Sequence, residues 1–270
     1  MAEAAARPRI IRSARVATIA REAARPDVRT PAPGAWLPIL VIAGAAWSIL
    51  LLADVTGVAQ LLHHHALISA GGPPLWLAAL LFLGGWLVMV AGMMLPASTP
   101  AISLAGTSRL AWFLFAYATI WLAFGLAAFI GDVGVHGFVH ATPFLLAHPW
   151  LVGAVTLSIA GVYQLTPAKH RALDACRHPL GAVHVDHGLH AGRRHAIDCL
   201  RSSWALMLVM FGAGFAGLGW MLVLTAVMTY EAIGRRGHVV ASAFGIVLLL
   251  LAGVSGAVAL AGLGSPNGLF

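Results

Sequence analysis

Between residues 166 and 202 the chain gathers both of its cysteines, Cys176 and Cys199, with six of its thirteen histidines: His170, His178, His184, His187, His190 and His195. Thiolates and imidazoles are the donors that hold soft and borderline transition metals, so these eight residues are the candidate ligands of a copper or zinc ion. Neither cysteine belongs to a CxxC pair. Two cysteines flanked by histidines nevertheless fit a metal site better than a structural staple. His184, His187 and His190 recur at three-residue intervals, with Asp186 among them, and on a helix they share roughly one side. Cys176 precedes Arg177, and Cys199 lies near Arg194 and Arg201, so local positive charge favours the thiolates that metals bind. The competing reading is a solvated, histidine-rich loop with no fixed site.

The surrounding sequence says what must position these donors. Hydrophobic residues make up 60% of the 270 and charged residues 9%, against roughly 25% charged in an ordinary globular domain. Most of that excess sits in runs of about 20 apolar residues, the length that crosses a bilayer as a helix. The runs do not alternate polar with apolar, which excludes a membrane β-barrel. The expected fold is therefore all-α, a polytopic membrane helical bundle. Six spans can be drawn: Trp36 to Ala53, Leu75 to Leu95, Leu110 to Ile130, Trp150 to Leu165, Trp204 to Met228, and Val239 to Leu263. Residues 1–35 form a basic arm and 36–265 the bundle, with 166–202 a Cys/His-rich loop. The stretch Trp204–Met228 is too short for two crossings and is expected to be one span. Its Gly212, Gly214, Gly217 and Gly219 would let it pack closely at the bundle centre or against a partner subunit.

The net charge of +7 is unevenly placed. Seven arginines lie in the first 30 residues: Arg7, Arg9, Arg12, Arg15, Arg21, Arg25 and Arg29. Six basic residues lie in the Cys/His loop: Lys169, Arg171, Arg177, Arg193, Arg194 and Arg201. With the N-terminus in the cytoplasm, these thirteen and Arg109 fall inside, and Arg235 and Arg236 fall outside as an exception. That orientation is expected of a protein in the cell's inner (plasma) membrane, with the loop at its cytoplasmic face, where thiols stay reduced. The basic residues suit the headgroups of the lipid bilayer. No aromatic residues interleave with them, which argues against nucleic acid as a partner. The first 30 residues lack the apolar core of a secretory signal; Arg9–Arg25 reads as an amphipathic surface helix or a disordered tail.

Other residues offer weaker chemistry. Apart from Met1, the methionines sit in two spans: Met89, Met93 and Met94, then Met207, Met210, Met221 and Met228. Thioethers favour Cu(I), although methionine is also a common filler of irregular packing gaps. His63–His64–His65, with His136, His140 and His148, fall on the outer side, where they would gather divalent cations, sense pH, or do neither. Asp54, Asp132 and Glu231 are expected near the interfaces, and no acid is placed at mid-membrane depth, against a proton-driven transporter. No nucleophile triad, phosphate-binding loop or dinucleotide fingerprint is present, so an enzyme built on Glu231 and nearby histidines is the weakest reading.

Three segments carry a family resemblance: GWLVMVAGMMLPASTP from Gly85, AGVYQLTPAKHRALDACRHPL from Ala160, and the stretch from CLRSSWALMLVM at Cys199 to VMTYEAIGRRG. Together they resemble a bacterial family of uncharacterised integral membrane proteins predicted to bind metal. Its Met-Met-x-Pro motif is matched by Met93, Met94 and Pro96, and its Tyr-Gln-x-x-Pro-x-Lys motif by Tyr163, Gln164, Pro167 and Lys169. Glu231 matches an acidic residue after the fifth span. The resemblance covers residues 80 to 240. It departs at Ala172, where the family has a further cysteine, and after Cys199, where Ser202 and Ser203 follow in place of a cysteine cluster. The resemblance and the donors imply a membrane protein that binds or relays a soft metal, copper above zinc. The alternative is a non-catalytic accessory subunit that has lost metal binding and docks on a membrane protein partner, or on a second copy, through the fifth span.

Overall fold

The computed structural model describes residues 36–58, 72–105, 109–178, 188–212 and 217–261. Ten helices and no strand occur among them: α1 (Leu37–Val55), α2 (Leu75–Met94), α3 (Thr99–Ala105), α4 (Leu110–Ala141), α5 (Pro143–Ala147), α6 (Trp150–Gln164), α7 (Pro167–Arg177), α8 (Gly188–Gly212), α9 (Leu218–Ile233) and α10 (Gly237–Leu260). The expected all-α bundle is what forms. Prolines start three of these helices, Pro38 in α1, Pro143 in α5 and Pro167 in α7, where a missing N–H costs nothing because first-turn donors have no helical partner.

Helices α1, α2, α4 and α10 are each long and apolar enough to cross a membrane. Helices α6 and α7 meet at a 65° bend and together would make a fifth. Such helices suit a multi-pass membrane protein. Large apolar side chains on their outer faces stay uncovered, Leu52, Phe115, Val239 and Leu250 among them, as expected where the solvent is lipid.

Small residues set the closest contacts. A Cβ built on Gly192 of α8 would run into the Phe113 carbonyl oxygen of α4. One on Gly161 of α6 would lie 2.8 Å from the Gly245 carbonyl oxygen of α10. Neither position has room for a side chain, and both allow backbones to approach directly.

Two expectations change here. Residues 166–202 are largely helical: α7 and the first half of α8 occupy them, with residues 179–187 outside the described segments. Thr166 caps α7 by accepting the Lys169 N–H at 3.2 Å, and the apolar positions that follow recur at helical spacing. The stretch Trp204–Met228 is also divided. Helix α8 ends at Gly212, Gly217 is extended (φ −72°, ψ 144°), and α9 begins at Leu218. The start of α8 lies against Arg109, whereas the end of α9 meets Arg177 through the carbonyls of Glu231 and Gly234. The chain therefore reverses between the two helices. Gly212 ends α8 and Gly217 precedes α9, as suits a residue that weakens a helix interior. A Cβ on Gly217 or Gly219 would meet nothing within 4 Å, so these two are not close-packing positions.

Candidate functional site

Helix α7 buries Lys169, Ala172, Leu173 and Cys176, at intervals of three, four and seven residues that define one helical face. Helix α8 buries His195, Cys199, Ser202 and Ser203, at intervals of four, seven and eight. The two faces oppose each other and bring Cys176 and Cys199, both buried, into one core cluster. Both are free thiols.

Cys199 has further partners. Its Sγ lies 3.3 Å from Tyr117 Oη. Ser98 Oγ lies 3.2 Å from the same phenol oxygen and 3.0 Å from the Met94 carbonyl oxygen. A continuous chain of polar contacts thus runs from the Met-Met-x-Pro segment through Ser98 and Tyr117 to Cys199. Hydrogen bonds from Cys176 above all, then from Tyr117 and Ser98, hold the Cys199 thiol below its ordinary range against the opposing effect of burial. The positive charge of Lys169 acts in the same direction. Met93, Met94, Met207 and Met210 belong to the same buried core as the two cysteines.

A second buried network adjoins the first. Lys169 Nζ donates to Glu231 Oε2 at 2.6 Å and to the Ser202 carbonyl at 2.5 Å. Gln164 Nε2 donates to Glu231 Oε1 at 2.8 Å, and Tyr163 Oη donates to the Arg201 carbonyl at 2.5 Å. Arg177 donates to the Glu231 and Gly234 carbonyls at 2.8 and 2.6 Å. The Lys169 and Glu231 side chains are 1% and 2% exposed. Glu231, expected at the interface, is therefore buried and paired. The signal for it was the Tyr163–Lys169 motif itself: a polar segment beside a span, with an acid far along the chain to receive its lysine.

The remaining candidates are scattered. His195 is buried between Phe113 and Tyr117, with ring centroids 5.9 and 6.1 Å away. Neither of its nitrogens has a hydrogen-bond partner among the described residues, and burial pushes its pKa down to about 4. His170 is half-buried, packs against the His238 ring at 5.0 Å and lies 3.4 Å from Ser242 Oγ. His178 and His190 are exposed, and His178 Nδ1 lies 3.1 Å from the Asp174 carbonyl. His184 and His187 lie outside the described residues. Among the described residues no three His, Cys, Asp or Glu side chains gather closely enough to hold a metal. What the fold does assemble is a pair of thiols.

These features define a helical bundle with membrane-length apolar helices that encloses two buried free thiols beside a buried ion pair. A family model described as PpoB2, copper chaperone, matches residues 83–255. That match spans well over half of the chain, and the protein belongs to this family. No curated protein and no solved structure matches.

Proposed function

We propose that this protein is a membrane-embedded copper chaperone that carries Cu(I) between the thiolates of Cys176 and Cys199. The observation that supports the reading is the convergence of the two cysteines from α7 and α8 on one buried point. Membership of a copper chaperone family supplies the metal. The donor set favours Cu(I) over zinc, because two soft sulfurs satisfy Cu(I), whereas structural zinc takes four ligands in a tetrahedron.

Each neighbour then has a task. Two thiols must lose their protons as the ion binds. The Tyr117 hydroxyl supports the Cys199 thiolate, and Ser98 lies against that hydroxyl. The Lys169 ammonium, paired with Glu231 and held by the Ser202 carbonyl, is the cationic end of a neutral pair and favours the Cys199 thiolate as a nearby dipole. Met93 and Met94 lie in the same buried core as the two cysteines and would offer thioethers to a soft ion on its way in or out. His195 packs as a neutral ring one turn before Cys199. Ala172, where the resemblance implies a further cysteine, and Ser202 and Ser203, which follow Cys199 where it implies a cysteine cluster, leave this member with two cysteine sulfurs.

The basic end of the bundle faces the cytoplasm in this reading, as the positive-inside rule requires. Titration of the detergent-solubilised full chain with Cu(I), in competition with a chromogenic Cu(I) chelator, tests the assignment. One Cu(I) is expected per wild-type chain, and close to none for Cys176→Ser or Cys199→Ser. Equal, near-zero uptake in all three would leave the accessory-subunit reading in its place.

A further inference from the structure

Helix α4 carries donors at both of its ends. Near its start, Tyr117 touches Cys199. Near its finish, His136 and His140 stand one turn apart with their Nε2 atoms 3.1 Å from each other and ring centroids 4.6 Å apart. The rise of about 1.5 Å per residue puts the 19 residues from Tyr117 to His136 at roughly 28 Å, close to the ~30 Å hydrocarbon thickness of a bilayer. The segment 131–149 contains no Lys or Arg, so no fixed cationic side chain from its own stretch of chain repels an arriving ion.

We infer that His136 and His140 form a separate, two-nitrogen site for a divalent transition metal, Cu(II) foremost, at the end of the bundle opposite the thiols. The geometry carries this. Metal–imidazole bonds of 2.0–2.1 Å closing onto two nitrogens 3.1 Å apart subtend an angle of about 100° at the metal, between the square-planar and tetrahedral values. The two nitrogens are in hydrogen-bond contact and a helix holds this i, i+4 pair in one register, so an entering ion takes the place of the proton between them with the backbone unchanged. Water completes the coordination. Imidazole nitrogen suits Cu(II) and zinc, whereas the buried thiols suit Cu(I), and among divalent ions Cu(II) binds such donors most tightly. The two ends would then differ in the oxidation state they accept. The inference does not rest on the thiol site, since it involves other residues and another ion.

The test uses the full-length chain in detergent with Cys176→Ser and Cys199→Ser in place, so that no thiol can reduce the probe. One equivalent of Cu(II) is added and the electron paramagnetic resonance spectrum recorded, with affinity read by competition against glycine. Superhyperfine splitting from two nitrogens is expected, and it should be lost in both His136→Ala and His140→Ala. Removing even an outer hydrogen-bond partner of a metal ligand costs roughly 10–100-fold; loss of one imidazole should therefore weaken binding on the order of 100-fold. Both histidine positions are solvent-facing or half-covered, so neither change should disturb folding, which an unchanged gel-filtration profile confirms. An unchanged spectrum and affinity in the two variants would place the ion elsewhere and overturn the inference. Cu(I) uptake by the thiol-containing chain is a separate readout, so either site can fail without the other.

Discussion

Cys199 ends a chain of polar contacts through Tyr117 and Ser98, and its neighbours make separable predictions. Tyr117→Phe removes one hydrogen bond to its sulfur and should weaken Cu(I) binding by about tenfold, the equivalent of ~1.4 kcal/mol, without abolishing it; chelator competition reads the change. Lys169→Met should do more harm to the fold than to the site. It leaves Glu231 as an uncompensated buried charge, a loss of roughly 3–5 kcal/mol, visible as a lowered thermal midpoint in detergent. Adding Glu231→Leu should restore much of that loss, because two apolar residues can replace a buried pair. His195 provides a pH signature. Its folded pKa of about 4 lies below the unfolded value of 6.5, so the unfolded chain binds more protons between those values. Its contribution is complete above about pH 6.5 and is lost as pH falls towards 4, by up to roughly 3 kcal/mol. His195→Leu should flatten that part of the stability–pH curve. Composition could nominate these residues but not sort them. Eight donors looked equivalent in the sequence, and burial separated the two thiols and His195 from the exposed His178 and His190.

Among the helices, long apolar runs were legible because a bilayer demands a fixed length, and α1, α2, α4 and α10 lie where hydropathy puts them. The α7–α8 region was not legible as structure. Its polar residues face both a buried ion pair and water, so its mean hydropathy resembles that of a loop. The reversal between α8 and α9 was missed for a different reason: glycine serves both close packing and chain breaking, and only neighbours decide which. Contacts now separate the two roles. Gly161→Val should force apart α6 and α10, whose backbones meet there, at a cost of about 1–3 kcal/mol. Gly219→Ala should be neutral or slightly stabilising, since its Cβ position is open. Parallel thermal melts of the two variants check this contrast.

For the molecule as a whole, the reversal between α8 and α9 removes an anomaly. Arg235 and Arg236 follow Gly234, whose carbonyl accepts from Arg177, so they lie at the same end as α7 and not at the opposite one. All nine Lys and Arg residues of the described segments then share that end, and the His136–His140 end has none. A single cysteine introduced at Arg236 should react with a membrane-impermeant maleimide from the cytoplasmic side, and one at His140 from the other side. Labelling of both from one side would contradict the orientation. The charges were legible in the sequence, but Arg235 and Arg236 were set at the end of the bundle opposite α7, because one span was drawn where the chain turns back.

Cu K-edge X-ray absorption on the full chain loaded with one equivalent of Cu(I) addresses the proposed chemistry itself. Two sulfur scatterers, without a nitrogen shell, are expected, and loss of that signal in Cys199→Ser should follow. A shell dominated by nitrogen or oxygen, unaltered when Cys176 and Cys199 are replaced, would show that the buried thiol pair is not where copper is held.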